Sequence, residues 1–137
     1  MGKRNTARRL AMQALYQADI SRIDIDEALN NIFDAEKLIK DTTEFASALA
    51  RKAWADRTRN DKIIAELAID WSLDRISKVD RSILRLALEE LSELETPASV
   101  VVNEAVELAK KYSGEEAGKF INGILGAYLR SLAGKQT

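Results

Sequence analysis

The chain has 137 residues and a net charge of −1, a length suited to one domain with its own hydrophobic core. It contains no cysteine and no histidine, which excludes disulfides, zinc sites of the Cys/His type and catalytic pairs that need either residue. No apolar run approaches the ~20 residues of a membrane span, and no hydrophobic stretch follows the charged N-terminus as it would in a signal peptide. We therefore expect a cytoplasmic protein with a single domain over residues 1–137.

Apolar residues recur at helical spacing along the whole chain, with no convincing period of two. The pattern predicts an all-α fold, a compact bundle of about seven helices, near residues 5–19, 24–36, 42–56, 58–71, 74–94, 99–112 and 115–133. Asp24 and Thr42 are the predicted N-caps of the second and third helices. The polar segment 56–60 leaves open whether the third and fourth helices are continuous, whereas Pro97 and Gly114 separate the last three.

The first helix carries a basic cluster. Its members are the only charged residues among the first eighteen, namely Lys3, Arg4, Arg8 and Arg9. The remaining 17 basic and 22 acidic side chains give the rest of the chain a net charge of −5. Because a local cluster of this kind attracts phosphate groups whatever the total charge, nucleic acid is a candidate ligand.

Projected at about 100° per residue, the first helix has two contrasting faces. The apolar arc, which is predicted to face the core, comprises Ala7, Leu10, Ala11, Ala14, Leu15 and Ala18. The opposite arc, which is expected to point away from the core, carries Arg8, Arg9, Met12, Gln13 and Tyr16. Guanidinium groups, an aromatic ring and an amide on one face suit RNA, because they can contact phosphates, stack on bases and bind base edges. The alternative is an ordinary solvated face with Tyr16 packed on a neighbouring helix.

The fifth predicted helix is apolar over most of its circumference between Ile76 and Leu94. Only a strip formed by Arg81, Arg85 and Glu89 is expected to face water. A helix of this kind belongs at the centre of a bundle, so the other helices are expected to pack around it.

The last predicted helix has a buried stripe formed by Phe120, Ile121, Ile124, Leu125, Tyr128 and Leu132. Phe120 lies at the margin of this stripe, next to Lys119 and Asn122, where its ring could either pack in the core or stack on a base. Three glycines also lie in this helix, at Gly118, Gly123 and Gly126. Each costs about 1 kcal/mol relative to alanine, which indicates close approach of another backbone, either within the fold or from a ligand.

Pairs of acidic residues occur along the surface, but none is matched to a nucleophile. No glycine-rich phosphate loop with a GK[ST] ending is present either. The sequence therefore predicts no catalytic residue, no metal site and no cofactor.

Three segments resemble, in order and spacing, the NusB family of transcription antitermination factors. They are ARRLAMQALYQ at residues 7–17, LDRISKVDRSILRLALEEL at 73–91 and VVNEAVELAKKYSGEEAGKFINGIL at 101–125. The most specific part is the block NEAVELAK followed by GKFING, and the resemblance is weakest over residues 22–70. The resemblance implies a non-enzymatic RNA-binding factor with an all-helical fold made of two packed sub-bundles.

The resemblance also implies the partners. Family members bind the boxA element of ribosomal RNA leader transcripts together with NusE, a small-subunit ribosomal protein, and join RNA polymerase to suppress termination. Carried over by position, the expected RNA contacts are Lys3, Arg4, Arg8, Gln13, Lys119, Phe120 and Asn122. Tyr16 and Asp80 match positions that face NusE. Tyr16 thus has two competing assignments, base stacking or protein contact, and the second is favoured.

The sequence departs from the family pattern at two places. Asn5 and Thr6 interrupt the arginine run at the start of the family and Arg9 is an addition, so RNA affinity is expected to depend more on the partner. Glu89 stands where the family usually has an aromatic residue, so that part of the family's surface is not carried over to this chain.

Two other functions stay open at this point. The same fold occurs as the N-terminal domain of some RNA cytosine methyltransferases, but this chain has no catalytic domain and no cysteine nucleophile. That function would therefore require a detached fragment. The other alternative is a helical adaptor whose acidic body binds only proteins. The sequence allows a monomer or a homodimer, and a dimer could cover the basic face.

Overall fold

A computed structural model describes residues 2–68 and 75–135 of the chain. Within these ranges the backbone forms seven α-helices and no strand, which confirms the predicted all-α fold. The helices are α1 (Gly2–Ser21), α2 (Ile25–Asp34), α3 (Lys40–Ala55), α4 (Arg57–Leu67), α5 (Lys78–Glu93), α6 (Ala98–Tyr112) and α7 (Glu115–Lys135). The predicted end of the fourth helix and start of the fifth lie outside the described residues. None of the helices described is long and apolar enough to cross a lipid bilayer.

The N-terminal caps of α2 and α3 follow the prediction in one case only. Asp24 is the N-cap of α2, although its side chain makes no capping hydrogen bond. The prediction for Thr42 is wrong, because α3 begins at Lys40 with Ile39 as its N-cap and Thr42 is buried in its first turn. The Ile39 carbonyl already accepts the Thr43 N–H at 3.2 Å, so the helix begins before Thr42 is reached. At the other end, Asp56 separates α3 from α4.

The helices form two groups that meet along α1 and α5. α1 packs against α2 and α3, and α6 packs against α7, whereas α5 contacts α1, α3, α4, α6 and α7. Residues 82–91 of α5 are buried without interruption, and Leu84 has no exposed surface. The central position predicted for this helix is therefore confirmed.

The strip of α5 that was expected to face water is covered by other helices. Arg85 is only 4% exposed, and its guanidinium donates to both carboxylate oxygens of Asp61 on α4, at 2.7 and 2.6 Å. Arg81 donates to Asp19 on α1 at 2.5 Å. The expectation of a solvated strip is wrong, because neighbouring helices supply a carboxylate opposite each cation and so compensate its burial.

Glu89, also on that strip, is covered by α4 and is 4% exposed. Its Oε1 accepts hydrogen bonds from Asn60 Nδ2 and Arg59 Nη2, both at 3.3 Å. Burial raises the pKa of the Glu89 carboxyl and Asp56 adds to the rise, while Asn60 and Arg59 act in the opposite direction. Glu89 therefore lies between helices and not on the outer surface.

The predicted faces of α1 and α7 are largely correct. All six residues of the apolar arc of α1 are buried, but Met12, which was expected to point outward, is buried as well. In α7, Ile121, Ile124 and Leu125 are buried and Phe120 packs at the edge of the core.

The three glycines of α7 have different surroundings. A Cβ at Gly118 would lie 2.9 Å from Cγ of Lys110, so α6 and α7 do approach closely there, although through a side chain. A Cβ at Gly126 would meet only the Arg130 guanidinium, at 3.3 Å. A Cβ at Gly123 would meet no neighbouring part of the described fold within 4 Å, so there is no close approach within the fold at that position.

Candidate nucleic-acid interface

Arg8 is the buried member of the N-terminal basic cluster, with 5% of its surface exposed. Its Nε and Nη2 donate to the two carboxylate oxygens of Glu90 on α5, at 2.8 and 2.6 Å, and its Nη1 donates to Asn5 at 3.1 Å. The hydrogen bonds to Glu90 raise the pKa of Arg8 above its ordinary value, so the guanidinium stays charged. The expectation that Arg8 points away from the core is wrong, because Glu90 on the central helix lies opposite it.

Glu90 was missed as a functional neighbour of this cluster. The sequence does contain a signal for it, since an acidic residue on a helix that is apolar all round needs a buried cation as partner. Helical periodicity alone does not show which cation that is.

Arg9 is held by a second acidic side chain. Its Nη1 and Nη2 donate to the carboxylate of Glu36, just beyond the end of α2, at 3.1 and 3.2 Å. These hydrogen bonds raise the pKa of Arg9. Nη1 also lies 3.4 Å from Oε1 of Gln13, a predicted RNA contact. Two of the four cations of the cluster are thus engaged within the protein.

Lys3 and Arg4, the other two cations, are exposed on the first turn of α1. Neither forms an ion pair or a hydrogen bond with any residue that the structure describes. They line a recess of about 810 Å³ between the starts of α1 and α3, together with Gly2, Asp41, Thr42, Glu44 and Phe45. These two side chains are therefore free to contact a phosphate without breaking an ion pair.

Three predicted site residues from distant parts of the sequence meet where α5 and α7 begin. Asp80, Lys119 and Phe120 line one recess of about 690 Å³. Lys119 is exposed and its Nζ lies 3.5 Å from Glu116 Oε1, while Asn122 is exposed but does not line the recess. A cation and an aromatic ring side by side can contact the phosphate and the base of one nucleotide.

Asp80 has a carboxylate oxygen without a hydrogen-bond partner among the described residues. Its backbone N–H donates to Oγ of Ser77, the N-cap of α5, at 3.1 Å. Its Oδ1 is buried and accepts no hydrogen bond from the part of the chain that the structure describes. A buried oxygen of this kind favours a donor supplied by a partner.

Tyr16 lines a neighbouring recess of about 550 Å³, together with Gln13. Val79 lines both this recess and the one that contains Asp80, so the two surfaces adjoin at the start of α5. The structure thus brings the two predicted partner contacts, Tyr16 and Asp80, to either side of one residue. Gln13, predicted to contact RNA, lies on the same surface as Tyr16.

Comparison with known proteins bears on these surfaces. Residues 5–130 match the model of the NusB family. The transcription antitermination protein NusB of Symbiobacterium thermophilum is 42% identical over 140 aligned positions, which cover 96% of this chain and 92% of that protein. The protein of the same name from Bacillus subtilis is 43% identical over 124 positions, covering 90% of this chain and 92% of that protein.

Solved structures are similar over nearly the same length. A chain in the crystal structure of the antitermination factors NusB and NusE in complex with dsRNA is 33% identical, with a TM-score of 0.88, covering 96% of this chain and 98% of that chain. T. maritima NusB is 37% identical with a TM-score of 0.84, covering 90% of this chain and 88% of that one. With its family match, its relatives and its fold in agreement, the chain belongs to the NusB family.

Proposed function

We propose that this chain is an RNA-binding transcription antitermination factor that binds boxA of ribosomal RNA leader transcripts together with NusE and helps RNA polymerase resist termination. The observation that carries the proposal is the similarity, over 96% of the chain, to a chain of the NusB–NusE–dsRNA complex. A factor of this kind acts by binding and has no catalytic activity of its own. It works in the cytoplasm, where transcripts are made.

The proposed RNA contacts form two groups. Lys3 and Arg4 at the start of α1 have no acidic partner among the described residues, so they can neutralise phosphates without breaking an ion pair. Lys119, Phe120 and Asn122 at the start of α7 form the second group, in which the ring is available for stacking.

Arg8 and Gln13 complete the proposed set of RNA contacts, with a restriction that follows from their partners. A phosphate at Arg8 would have to share the guanidinium with Glu90, which already accepts two of its hydrogen bonds. Gln13 lies beside Tyr16, on the surface proposed for NusE. RNA and NusE would therefore meet along α1.

Tyr16 and Asp80 are the proposed NusE contacts. Their recesses adjoin at Val79, and the unpartnered Oδ1 of Asp80 can accept a hydrogen bond from a donor on NusE. Because the recess of Tyr16 adjoins that of Asp80, we favour contact with NusE over base stacking for Tyr16.

The alternatives receive less support. The relatives that match over 92% of their own length are antitermination proteins, which favours that function over a detached methyltransferase domain. A protein-only adaptor would leave the unpaired Lys3 and Arg4 without a role. The oligomeric state stays open between monomer and homodimer, and a dimer interface over α1 would compete with RNA.

The deciding experiment measures binding of the purified chain to boxA RNA and to a scrambled RNA, each with and without NusE. We expect tighter binding to boxA and a further gain with NusE, since two ligands that favour one assembly strengthen each other. Equal affinity for both RNAs would remove the boxA assignment. NusE binding without any RNA binding would establish the adaptor instead.

A further inference from the structure

Arg4 is the one arginine of the N-terminal cluster whose N–H groups have no acceptor among the described residues. Arg8 donates to Glu90 and Arg9 donates to Glu36, whereas no hydrogen bond or ion pair involves Arg4. Its side chain is nevertheless held in place. The guanidinium lies over the ring of Phe45 on α3, with Cζ 3.9 Å from the ring centroid.

The Phe45 ring is a fixed platform. It is half-buried and packs against the hydrophobic core, so its orientation is set by the fold. A guanidinium stacked on an aromatic face is attracted to the ring through the positive charge, and its N–H groups at the edge of the plane stay available. Arg4 is thereby oriented without losing any of its hydrogen-bond donors.

We propose that Phe45 is a positioning residue of the RNA-binding surface, whose ring holds the Arg4 guanidinium ready for an RNA phosphate. The proposal rests on the proposed function, that this chain binds RNA. A free arginine side chain loses rotamer freedom when it binds, and a side chain that is already ordered loses less. Stacking on Phe45 therefore strengthens RNA binding although the ring need not contact RNA.

The acidic neighbours give the ring a second effect. Asp41 and Glu44 line the same recess as Arg4, yet neither pairs with it in the described structure, and Glu44 Oε1 lies 3.6 Å from Lys40 Nζ instead. Without the ring, Arg4 would be free to turn toward these carboxylates. An arginine neutralised within the protein releases no counterion from RNA, so the salt dependence of binding would fall too.

The test is a double-mutant cycle on the full chain with labelled single-stranded boxA RNA. Phe45→Leu, which keeps an apolar side chain but removes the ring, should weaken binding about two- to five-fold, the range of an exposed cation–π contact. Phe45→Tyr keeps the ring and should bind like the unmodified chain. In an Arg4→Ala background, Phe45→Leu should cause a much smaller loss, because the side chain that it positions is already absent. The other arginine over the ring, Arg8 at 5.9 Å from its centroid, is held by Glu90.

The salt dependence gives a readout that a change in fold stability would not move. Arg4→Ala should lower the slope of log K against log salt by ~0.7 for a single strand, and Phe45→Leu should lower it in the same direction. A matched control is an arginine–aromatic stack elsewhere on α3 and α4, Arg57 over Trp54 at 4.0 Å, in which Arg57 also donates to the Trp54 carbonyl. Trp54→Leu should leave RNA affinity unchanged.

Three outcomes would overturn the proposal. An equal loss from Phe45→Leu with and without Arg4 would show that the ring acts through the fold. RNA binding by Phe45→Tyr as weak as that by Phe45→Leu would show that the ring is not what matters. A loss of RNA affinity from Trp54→Leu equal to that from Phe45→Leu would show an effect through the fold. If the unmodified chain binds no boxA RNA even with NusE, the proposed function fails as well, whereas an additive cycle in a chain that binds RNA removes only the role of Phe45.

Discussion

Arg4 and Arg8 lie one turn apart on α1, but their guanidinium groups have different partners. Arg8 is buried against Glu90 and Arg4 is exposed on Phe45. Arg8→Ala should therefore cost about 3–5 kcal/mol of stability, because it leaves a buried carboxylate without its cation. Arg4→Ala should leave stability nearly unchanged and weaken RNA binding. Urea denaturation and RNA titration of both variants measure the two effects.

The salt dependence of RNA binding tests whether each of the two arginines contacts a phosphate. Arg4→Ala should lower the slope of RNA binding by ~0.7. If Arg8→Ala lowers the slope by the same amount under conditions in which the variant is still fully folded, Arg8 is a phosphate contact and its bond to Glu90 opens in the complex.

Glu89 makes stability depend on pH. Burial raises the pKa of its carboxyl above the ordinary value of 4.5, so the native state holds the proton more tightly than the unfolded chain. Stability from this group is therefore full below pH 4.5 and is lost as pH rises through the native pKa. Glu89→Gln, which has no charge to bury, should be more stable than the unmodified chain at pH 8.

The comparison is made by urea denaturation from pH 4 to pH 8. The gain from Glu89→Gln should shrink toward zero at the acid end, where both side chains are neutral. A difference that does not vary with pH would mean that the native carboxyl has an ordinary pKa.

At the scale of single helices, the end of α5 has an unfavourable backbone conformation. Its C-cap, Leu94, has a left-handed backbone with φ of 60°, and its side chain is 84% exposed. A left-handed backbone is unfavourable for a residue with a Cβ, and the exposed Leu94 side chain gains no burial that would offset this cost. Leu94→Gly should therefore stabilise the protein by about 0.5–1 kcal/mol, after allowing for the greater freedom of glycine in the unfolded chain.

Thermal unfolding of Leu94→Gly beside Leu94→Ala tests this explanation. Alanine keeps the Cβ and should give no gain. A gain of equal size from alanine would show that the exposed apolar side chain, and not the backbone, is unfavourable.

In the middle of α5, burial of apolar side chains stabilises the protein. Leu84 is fully buried where α5 is surrounded by other helices. Leu84→Ala should destabilise by ~2–5 kcal/mol, through lost burial and the cavity that remains. Chemical denaturation measures this cost, and a value below about half a kcal/mol would be typical of a surface position.

At the scale of the whole molecule, α5 joins the two groups of helices, so unfolding should be a single cooperative transition.

The start of α5 carries Asp80, one of the two proposed NusE contacts. Asp80→Lys reverses a charge there, and it should weaken NusE binding while RNA binding by the chain alone stays nearly intact. Calorimetric titration with NusE measures this effect, with Glu107→Lys at an exposed position of α6 as a control for the change in net charge. If both variants lose the same amount of NusE affinity, the loss is due to the change in net charge and not to the position of Asp80.

Much of the architecture was predictable because it depends on local periodicity. The apolar arc of α1 and the apolar circumference of α5 are properties of spacing within one helix, and both predicted their burial correctly. The blocks around Asn103 and Lys119 indicated the family through their resemblance to it, which is also carried by short stretches of the chain. Thr42 shows the limit at a helix end, where the backbone bond from Thr43 to Ile39 decides the start.

The sequence by itself determined the helices, their buried apolar faces and the family, because each is encoded in short stretches of the chain. Only the tertiary structure decided which charged side chains are available to a ligand. Arg8 and Glu90 are 82 residues apart, and the Arg4–Phe45 stack joins two helices. Helical periodicity says which residues share a face, but it contains no information on which face of another helix lies opposite. For that reason Arg4 and Arg8 look equivalent in sequence, and the partner that the fold supplies leaves one exposed and buries the other.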